Sequence, residues 1–306
     1  MVPNYDTGAH PPGTRAWNSG GGNVKAVLLL ADGDKPLVSE ALPEIAAYLT
    51  SQGAKVETHG NVRELSLKSG FSPRTQPDLI VVLGGDGSVL TAARLFQDQP
   101  VPTIGINFGR VGFLASLEVS GWKEGLDDVL SGRALVENRM RIGARVVRED
   151  GTEGPLTIAM NDVVISRGTT PSMAQFDLLS SGRQVTSYRA DGLIFATPSG
   201  STAYSLAAGG PILDPALRAI VLTPISAHAL SHRPLVLGPR ASLEARVTDS
   251  GGAVALDIDG IMVAELTEGD SVRLEGCEEP YPLLTIHSFD PWQRLRDRLG
   301  WSGNFG

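Results

Sequence analysis

Five apolar residues, Leu79-Ile80-Val81-Val82-Leu83, run straight into Gly84-Gly85-Asp86-Gly87-Ser88, and no other stretch of the chain restricts its fold as strongly. A short unbroken apolar run that ends in glycines reads as a strand buried on both faces. Past the loop, Val89, Leu90, Ala93 and Leu95-Phe96 recur on roughly one face of a helix. Strand, glycine loop and helix start is an order in which free backbone N–H groups can meet a phosphate. Asp86 is the odd member, because a carboxylate repels phosphate unless it has work beside it. Taking a proton from an attacking hydroxyl, or holding a divalent cation, would be such work. The plainer alternative is a tight turn with Asp86 near a helix N-cap.

The same alternation extends from Val24 to about Leu135. Val24 to Leu30 reads as a strand. Pro36 suits a first helical position, and Val38, Leu42, Ile45, Ala46 and Leu49 follow at helical spacing up to Gly53. Val56 sits in a possible strand, Val101 to Ile106 in another, and Trp122, Leu126, Val129 and Leu130 mark a further helix. Repeated βα units predict a parallel, Rossmann-like sheet covered on both faces, with ligands at the carboxyl ends of its strands.

The texture changes near residue 136. Arg139 to Val147, Leu156 to Ala159, Val163 to Ser166, Gln175 to Leu179, Val185 to Tyr188, Leu243 to Val247, Val254 to Ile258, Ile261 to Ala264 and Val272 to Leu274 read as strands. Ser181-Gly182 and Asp259-Gly260 are hairpin-turn signals between them. This predicts a β-sandwich-like domain over residues 136–287. Residues 1–23, rich in Gly and Pro, read as a flexible tail, and residues 24–135 as the α/β domain. The last segment, 288–306, contains a short amphipathic helix from Pro291 to Leu299 with Trp292, Leu295 and Leu299, expected to pack back on the first domain.

Four further clusters carry possible chemistry. Gly105 to Leu114 places three glycines and Arg110 after a strand, which alone favours a plain connection. Asn161-Asp162 is a polar pair between apolar strands, which on two residues alone favours a plain bulge or turn; functionally, an Asn can read an adenine edge, and an Asp can accept from ribose hydroxyls. Tyr188 to Gly192 contains Arg189 and Asp191. Thr197 to Ser205 is dense in hydroxyls and small residues at a helix-like start, which suits phosphates or ribose.

Taken together in this order, the loop at Gly84 to Gly87, Asn161-Asp162, Asp191-Gly192 and the run Thr197 to Tyr204 resemble the NAD kinase family over about Val24 to Trp301. The resemblance implies phosphoryl transfer to the 2′-hydroxyl of the adenine ribose of NAD, with ATP or a related donor and Mg²⁺ or another divalent cation. It implies Asp86 as the proton acceptor and Gly85, Asp86 and Gly87 as loop contacts to the nucleotide. Asn161 and Asp162 would contact adenosine, Arg189 and Asp191 would line the nucleotide site, and Thr202, Ala203, Tyr204, Ser205 and Ala207 would bind the dinucleotide. The family also implies a homodimer or homotetramer. The chain departs from the family's usual residues at Asp162 (commonly Glu), Ser199 (commonly Thr) and Ile261 (often polar).

Lipid and sugar kinases share the Gly-Gly-Asp-Gly loop, and a nucleotide-binding regulator without catalysis is a further alternative; Asn161-Asp162 and the hydroxyl run favour the dinucleotide. A net charge of −8 argues against nucleic acid as a partner. No apolar run reaches the ~18 residues that span a bilayer. The single cysteine, Cys277, rules out an intrachain disulfide and suits the cytoplasm.

Overall fold

The computed structural model describes residues 14–17, 24–66, 70–109, 112–168, 173–229, 232–287 and 289–301. The chain divides into two compact units, one of residues up to Asn138 together with those from Pro282 onward, the other Arg139–Tyr281.

In the first unit, the strands run in the spatial order Thr14–Ala16, Leu135–Arg139, Tyr281–Thr285, Thr103–Asn107, Leu79–Gly84, Ala26–Ala31 and Lys55–His59, with Leu117–Glu118 beside Thr103–Asn107. The central pairs are parallel: Ala26–Ala31 lies between Lys55–His59 and Leu79–Gly84, and Thr103–Asn107 flanks the latter. Only the pairing of Thr14–Ala16 with Leu135–Glu137 is antiparallel among the registers given for this sheet. The apolar runs are buried on both faces. Val27, Leu29, Val81, Leu83, Ile104 and Ile106 pack with Val38, Ile45 and Leu49 of the helix Pro36–Ser51, while Leu28, Leu30, Ile80 and Val82 are buried on the other side. Gly84 pairs with Asn107, so both loops that follow leave the same sheet edge at strand carboxyl ends.

The second unit is a sandwich of two six-stranded sheets. One runs Leu235–Leu237, Ile220–Ile225, Gly192–Ala196, Asp162–Arg167, Val254–Ile258, Ile261–Leu266; the other runs Arg183–Ala190, Ala174–Ser180, Leu243–Asp249, Ser271–Gly276, Ile142–Val147, Thr157–Ala159. Alternate residues of both sheets, among them Val163, Phe176, Tyr188, Phe195, Leu222, Ala245, Leu256 and Val272, form one core. Both expected hairpin turns form, with left-handed backbone at Ser181-Gly182 and at Asp259-Gly260.

Four particulars differ from the sequence reading. The single strand expected from Arg139 to Val147 is two: Leu135–Arg139 stays in the first sheet, and Ile142–Val147 opens the sandwich. The return is also earlier than residue 287, because Tyr281–Thr285 pairs into the first sheet beside Thr103–Asn107. Ile220–Ile225 carries Pro224 inside its run, which removes a ladder donor and blurred its strand signal. Part of the presumed tail is ordered as well. Thr14–Ala16 adds an edge strand, and Trp17 is buried, donating its indole N–H to Val129 O at 3.0 Å. The rest of residues 1–23 lies outside the described residues.

The last helix forms at Pro291–Leu299, capped by Asp290, which accepts from Trp292 N at 2.9 Å. It belongs to the first unit, but its buried face is Arg294 and Leu295, with Trp292 left 57% exposed. No helix among the described residues is long and apolar enough to cross a membrane.

Trp17→Ala should lower the unfolding free energy by about 3–5 kcal/mol, because a large buried ring and an indole hydrogen bond are lost together. Chemical denaturation measures this; a cost below about 1 kcal/mol would mean that the segment does not contribute to the first core.

Candidate active site

In the first unit, Asp86 is the first residue of the helix Asp86–Leu95, with Gly85 as its cap. Its carboxylate turns to the loop after Thr103–Asn107. It accepts N–H groups from Phe113 at 2.7 Å on Oδ2, and from Leu114 at 2.9 Å and Ala115 at 3.4 Å on Oδ1. A Cβ at Gly112 would overlap the Asp86 carboxyl, so only glycine lets the loop close on it. The stretch that the sequence presented as a glycine loop with a basic side chain is therefore the seat of Asp86. Arg110 itself lies outside the described residues. A carboxylate offers about four lone-pair sites. Asp86 is half-buried and its Oδ2 carries one of these bonds, which leaves it acceptor capacity.

Basic groups stand beside the same loop. Lys35 Nζ lies 3.1 Å from Asp32 Oδ2, and Arg63 Nε 3.2 Å from Asp32 Oδ1. Asp32 is buried at the end of its strand, and Lys35 Nζ and Asn107 Oδ1 each come within 3.9 Å of where a Cβ on Gly85 would stand. Arg63 was not legible in the sequence, because its helix, Val62–Ser66, is too short to announce itself. Gly87 is exposed, with its carbonyl accepting from Thr91 Oγ1 at 3.0 Å.

In the second unit, the Asn161-Asp162 pair is held from both sides. Met160, Asn161 and Asp162 donate consecutive N–H groups to the Asp259 carboxylate at 2.9, 2.7 and 3.1 Å. On the other side, Thr197 N donates to Asn161 O at 2.8 Å, and Thr197 Oγ1 to Met160 O at 2.6 Å. A Cβ at Gly200 would collide with Asn161 O, so glycine is needed there for the two segments to touch. Asn161 Oδ1 is buried with no hydrogen-bond partner among the described residues. Asp162 is buried and accepts the backbone N–H of Tyr204. Burial, and then the neighbouring Asp259 carboxylate, push its pKa from 3.8 up to about 7, against the pull of that N–H; Asp257 adds a smaller push. Sequence reading took Asp259 for a turn residue only; the signal for more was an Asp, rather than an Asn, in a tight turn beside Asn161.

The hydroxyl run is shorter in helix than expected, a 3₁₀ turn at Gly200–Thr202 and one helical turn at Tyr204–Ala207. Its hydroxyls are spent internally. Ser199 Oγ accepts from Arg139 at 3.2 Å, Ser201 donates to Pro198 O at 2.6 Å, and Thr202 donates to Ser199 O at 3.0 Å. Ser205 is fully buried and shares a 2.9 Å bond with Thr223. Thr202 and Ala203 are half-buried, and Tyr204 and Ala207 exposed.

Arg189 and Asp191 stand apart from this group. Asp191 binds Arg167 Nε at 2.6 Å, at the far end of the strand Asp162–Arg167. Arg167 is five residue steps along the strand from Asp162, about 17 Å at ~3.4 Å per residue. Arg189 is exposed, its carbonyl accepting from His228 N at 2.9 Å. The structure thus gathers Asn161, Asp162, Thr202, Ala203 and Tyr204, and leaves Arg189 and Asp191 at the opposite strand ends. No group of three or more His, Cys, Asp or Glu side chains forms a preformed metal cage among the described residues.

Comparison with known proteins matches both units. Residues 35–134 match the ATP-NAD kinase N-terminal domain, and residues 160–286 the ATP-NAD kinase C-terminal domain. The chain is 39% identical over 285 residues to an NAD kinase of Nitrosomonas europaea, covering 91% of this chain and 96% of that one. It is 41% identical over 281 residues to an NAD kinase of Heliobacterium modesticaldum, covering 90% and 99%. Among solved structures it is similar to yeast NADH kinase complexed with NADH, with a TM-score of 0.82 and 29% identity over 93% of this chain and 90% of that chain.

The Asp162 carboxyl gives a signed pH dependence. Between its ordinary 3.8 and about 7 the folded chain holds a proton that the unfolded chain releases, so stability falls as pH rises through that window and the penalty is constant above it. Asp162→Asn keeps an acceptor for Tyr204 N–H and removes the charge. The variant should melt higher than the parent at pH 8, with the difference vanishing near pH 4; calorimetry that finds the gain largest at pH 4 would contradict the assignment.

Proposed function

This chain belongs to the NAD kinase family, enzymes that phosphorylate NAD to NADP, and from that premise we propose how its residues divide the reaction. NADP differs from NAD by a phosphate on the 2′-oxygen of the adenine ribose, so the acceptor is that hydroxyl. Asp86 takes its proton. The observation that carries this reading is a carboxylate fixed by three backbone N–H groups at the mouth of the glycine loop, with acceptor capacity left on Oδ2. As the ribose oxygen forms its bond to the γ-phosphorus of ATP, the bond from that phosphorus to the ADP oxygen breaks, and the ribose proton passes to Asp86. A hydroxyl with a pKa far above neutral is not ionised beforehand by a carboxylate, so this transfer is late.

Phosphoryl transfer depends on alignment and charge neutralisation more than on covalent help from the protein. Lys35 and Arg63 are the cations beside the glycine loop, and Gly85 and Gly87 leave its backbone open to phosphate. A divalent cation such as Mg²⁺, which needs only one or two protein carboxylates beside substrate phosphates, would find Asp86 and Asp32 there. When bound it supplies further neutralisation of the donor phosphates.

For NAD itself, the buried and unpartnered Oδ1 of Asn161 suits an amino donor such as that on adenine. Asp162 suits a ribose hydroxyl, Thr202, Ala203 and Tyr204 border the pair, and the exposed Ala207, in the same helical turn as Tyr204, is assigned to the dinucleotide with them. We assign Arg189 and Asp191 to a nucleotide bound by a neighbouring copy, since one chain holds them far from Asn161. That reading favours a homodimer or homotetramer, and the low cysteine content favours the cytoplasm.

Purified protein incubated with NAD, ATP and Mg²⁺ should yield NADP, identified by chromatography, with polyphosphate and NADH as parallel donor and acceptor. Asp86→Asn should lose about 10²–10⁴-fold in turnover while melting within a few degrees of the parent; near-normal turnover by a folded variant would refute the role. Mixing Asn161→Ala protein with Asp191→Ala protein should restore part of the activity that each lacks alone, and failure of every mixture to exceed its components would sink the shared arrangement.

A further inference from the structure

The C-terminal helix brings two arginines to the loop that seats Asp86. Arg294 is 7% exposed, lies 4.4 Å from the centre of the Phe289 ring, and donates from Nη1 to the Ala115 carbonyl. Arg298 stands over the Phe113 ring at 5.7 Å. Phe113 and Ala115 are the two ends of the tripeptide whose N–H groups hold the Asp86 carboxylate. The next residue, Ser116, is tied in the same direction, its hydroxyl donating to Leu284 O at 2.9 Å. A buried guanidinium is costly unless it is bonded and faced by negative charge. Here burial draws the Arg294 pKa down, and the Asp86 carboxylate is the foremost group opposing that, ahead of Glu118, Glu137 and Asp297.

We infer that Arg294 is a positioning residue for phosphoryl transfer: it fixes the Phe113–Ala115 segment from behind and so sets the direction of the Asp86 carboxylate, without touching either substrate. Arg298 supports the same segment through the Phe113 ring. The inference rests on the assignment of Asp86 as proton acceptor.

Arg294→Met keeps the length of the side chain and removes its charge and donors. It should lower kcat at least tenfold, with KM for NAD and for ATP changed by no more than about twofold, since the lost effect is on the reacting geometry rather than on ground-state binding. Arg294→Lys, which keeps a cation and a donor, should recover part of the loss, and no recovery counts against the inference. In the Asp86→Asn background, residual turnover measured at high enzyme concentration should be indifferent to Arg294→Met, because residues acting through one another are not additive. Wild-type kcat in a folded Arg294→Met protein, or the same loss factor in both backgrounds, overturns the inference. Failure of the Asp86 assignment shows separately, as near-normal turnover of Asp86→Asn alone. Should Arg294→Met not fold, Arg298→Met carries the test, its side chain being exposed: it should lose kcat severalfold with Asp86 present and nothing with Asn there, and unchanged kcat overturns the inference.

Discussion

Each unit of this chain depends on one carboxylate that gathers three consecutive backbone N–H groups. Asp86 collects those of Phe113, Leu114 and Ala115, and Asp259 those of Met160, Asn161 and Asp162. Successive N–H groups that converge on one point are a conformation a loop does not hold by itself, because each would otherwise need its own acceptor. An anionic acceptor makes each bond charge-assisted, roughly twice as strong as a neutral one. The acid comes from far along the chain in both cases, 27 to 29 residues away for Asp86 and 97 to 99 for Asp259. Strand pairing must therefore be right before either loop can take its shape, and the loops are products of the fold rather than of their own sequences.

The consequences for chemistry differ. Asp86 stands at a helix start, half-open to solvent and with acceptor capacity to spare, so the bonds that shape the loop also set the direction of its carboxylate. Asp259 sits in a left-handed hairpin turn and does its work at one remove. By fixing the backbone of Asn161 and Asp162 it presents an Asn161 Oδ1 that has no partner among the described residues, and it places a second negative charge beside Asp162. In both cases a glycine, Gly112 or Gly200, stands where a side chain would block the approach.

Much of this was legible in the sequence, and what was not has physical reasons. Apolar periodicity located the central parallel strands and the hairpins, because burial on one or both faces leaves a period that a single sequence displays. It did not assign Leu135–Arg139 and Tyr281–Thr285 to the first sheet: both look like sandwich strands, and nothing local records which sheet a strand joins. Asp86 stood out because its residue type is at odds with a phosphate loop. Asp259, Gly112 and Arg294 did not, since an Asp-Gly turn, a loop glycine and a helical arginine are each ordinary until a distant partner is known.

The hydroxyl-dense run shows what composition alone leaves unsaid. Thr197, Ser199, Ser201, Thr202 and Ser205 each make a hydroxyl bond within the protein, an internal role that a count of hydroxyls does not reveal. Small polar residues are used here because the segment lies against the backbone at Met160 and Asn161, where larger side chains do not fit and buried polar atoms require partners close by. Beside this packing the described residues present one unsatisfied amide oxygen on Asn161, one buried carboxyl on Asp162, and an exposed Tyr204. Groups fixed in this way by internal bonds need little further ordering to meet a ligand, so a dense internal network is itself a form of preorganisation.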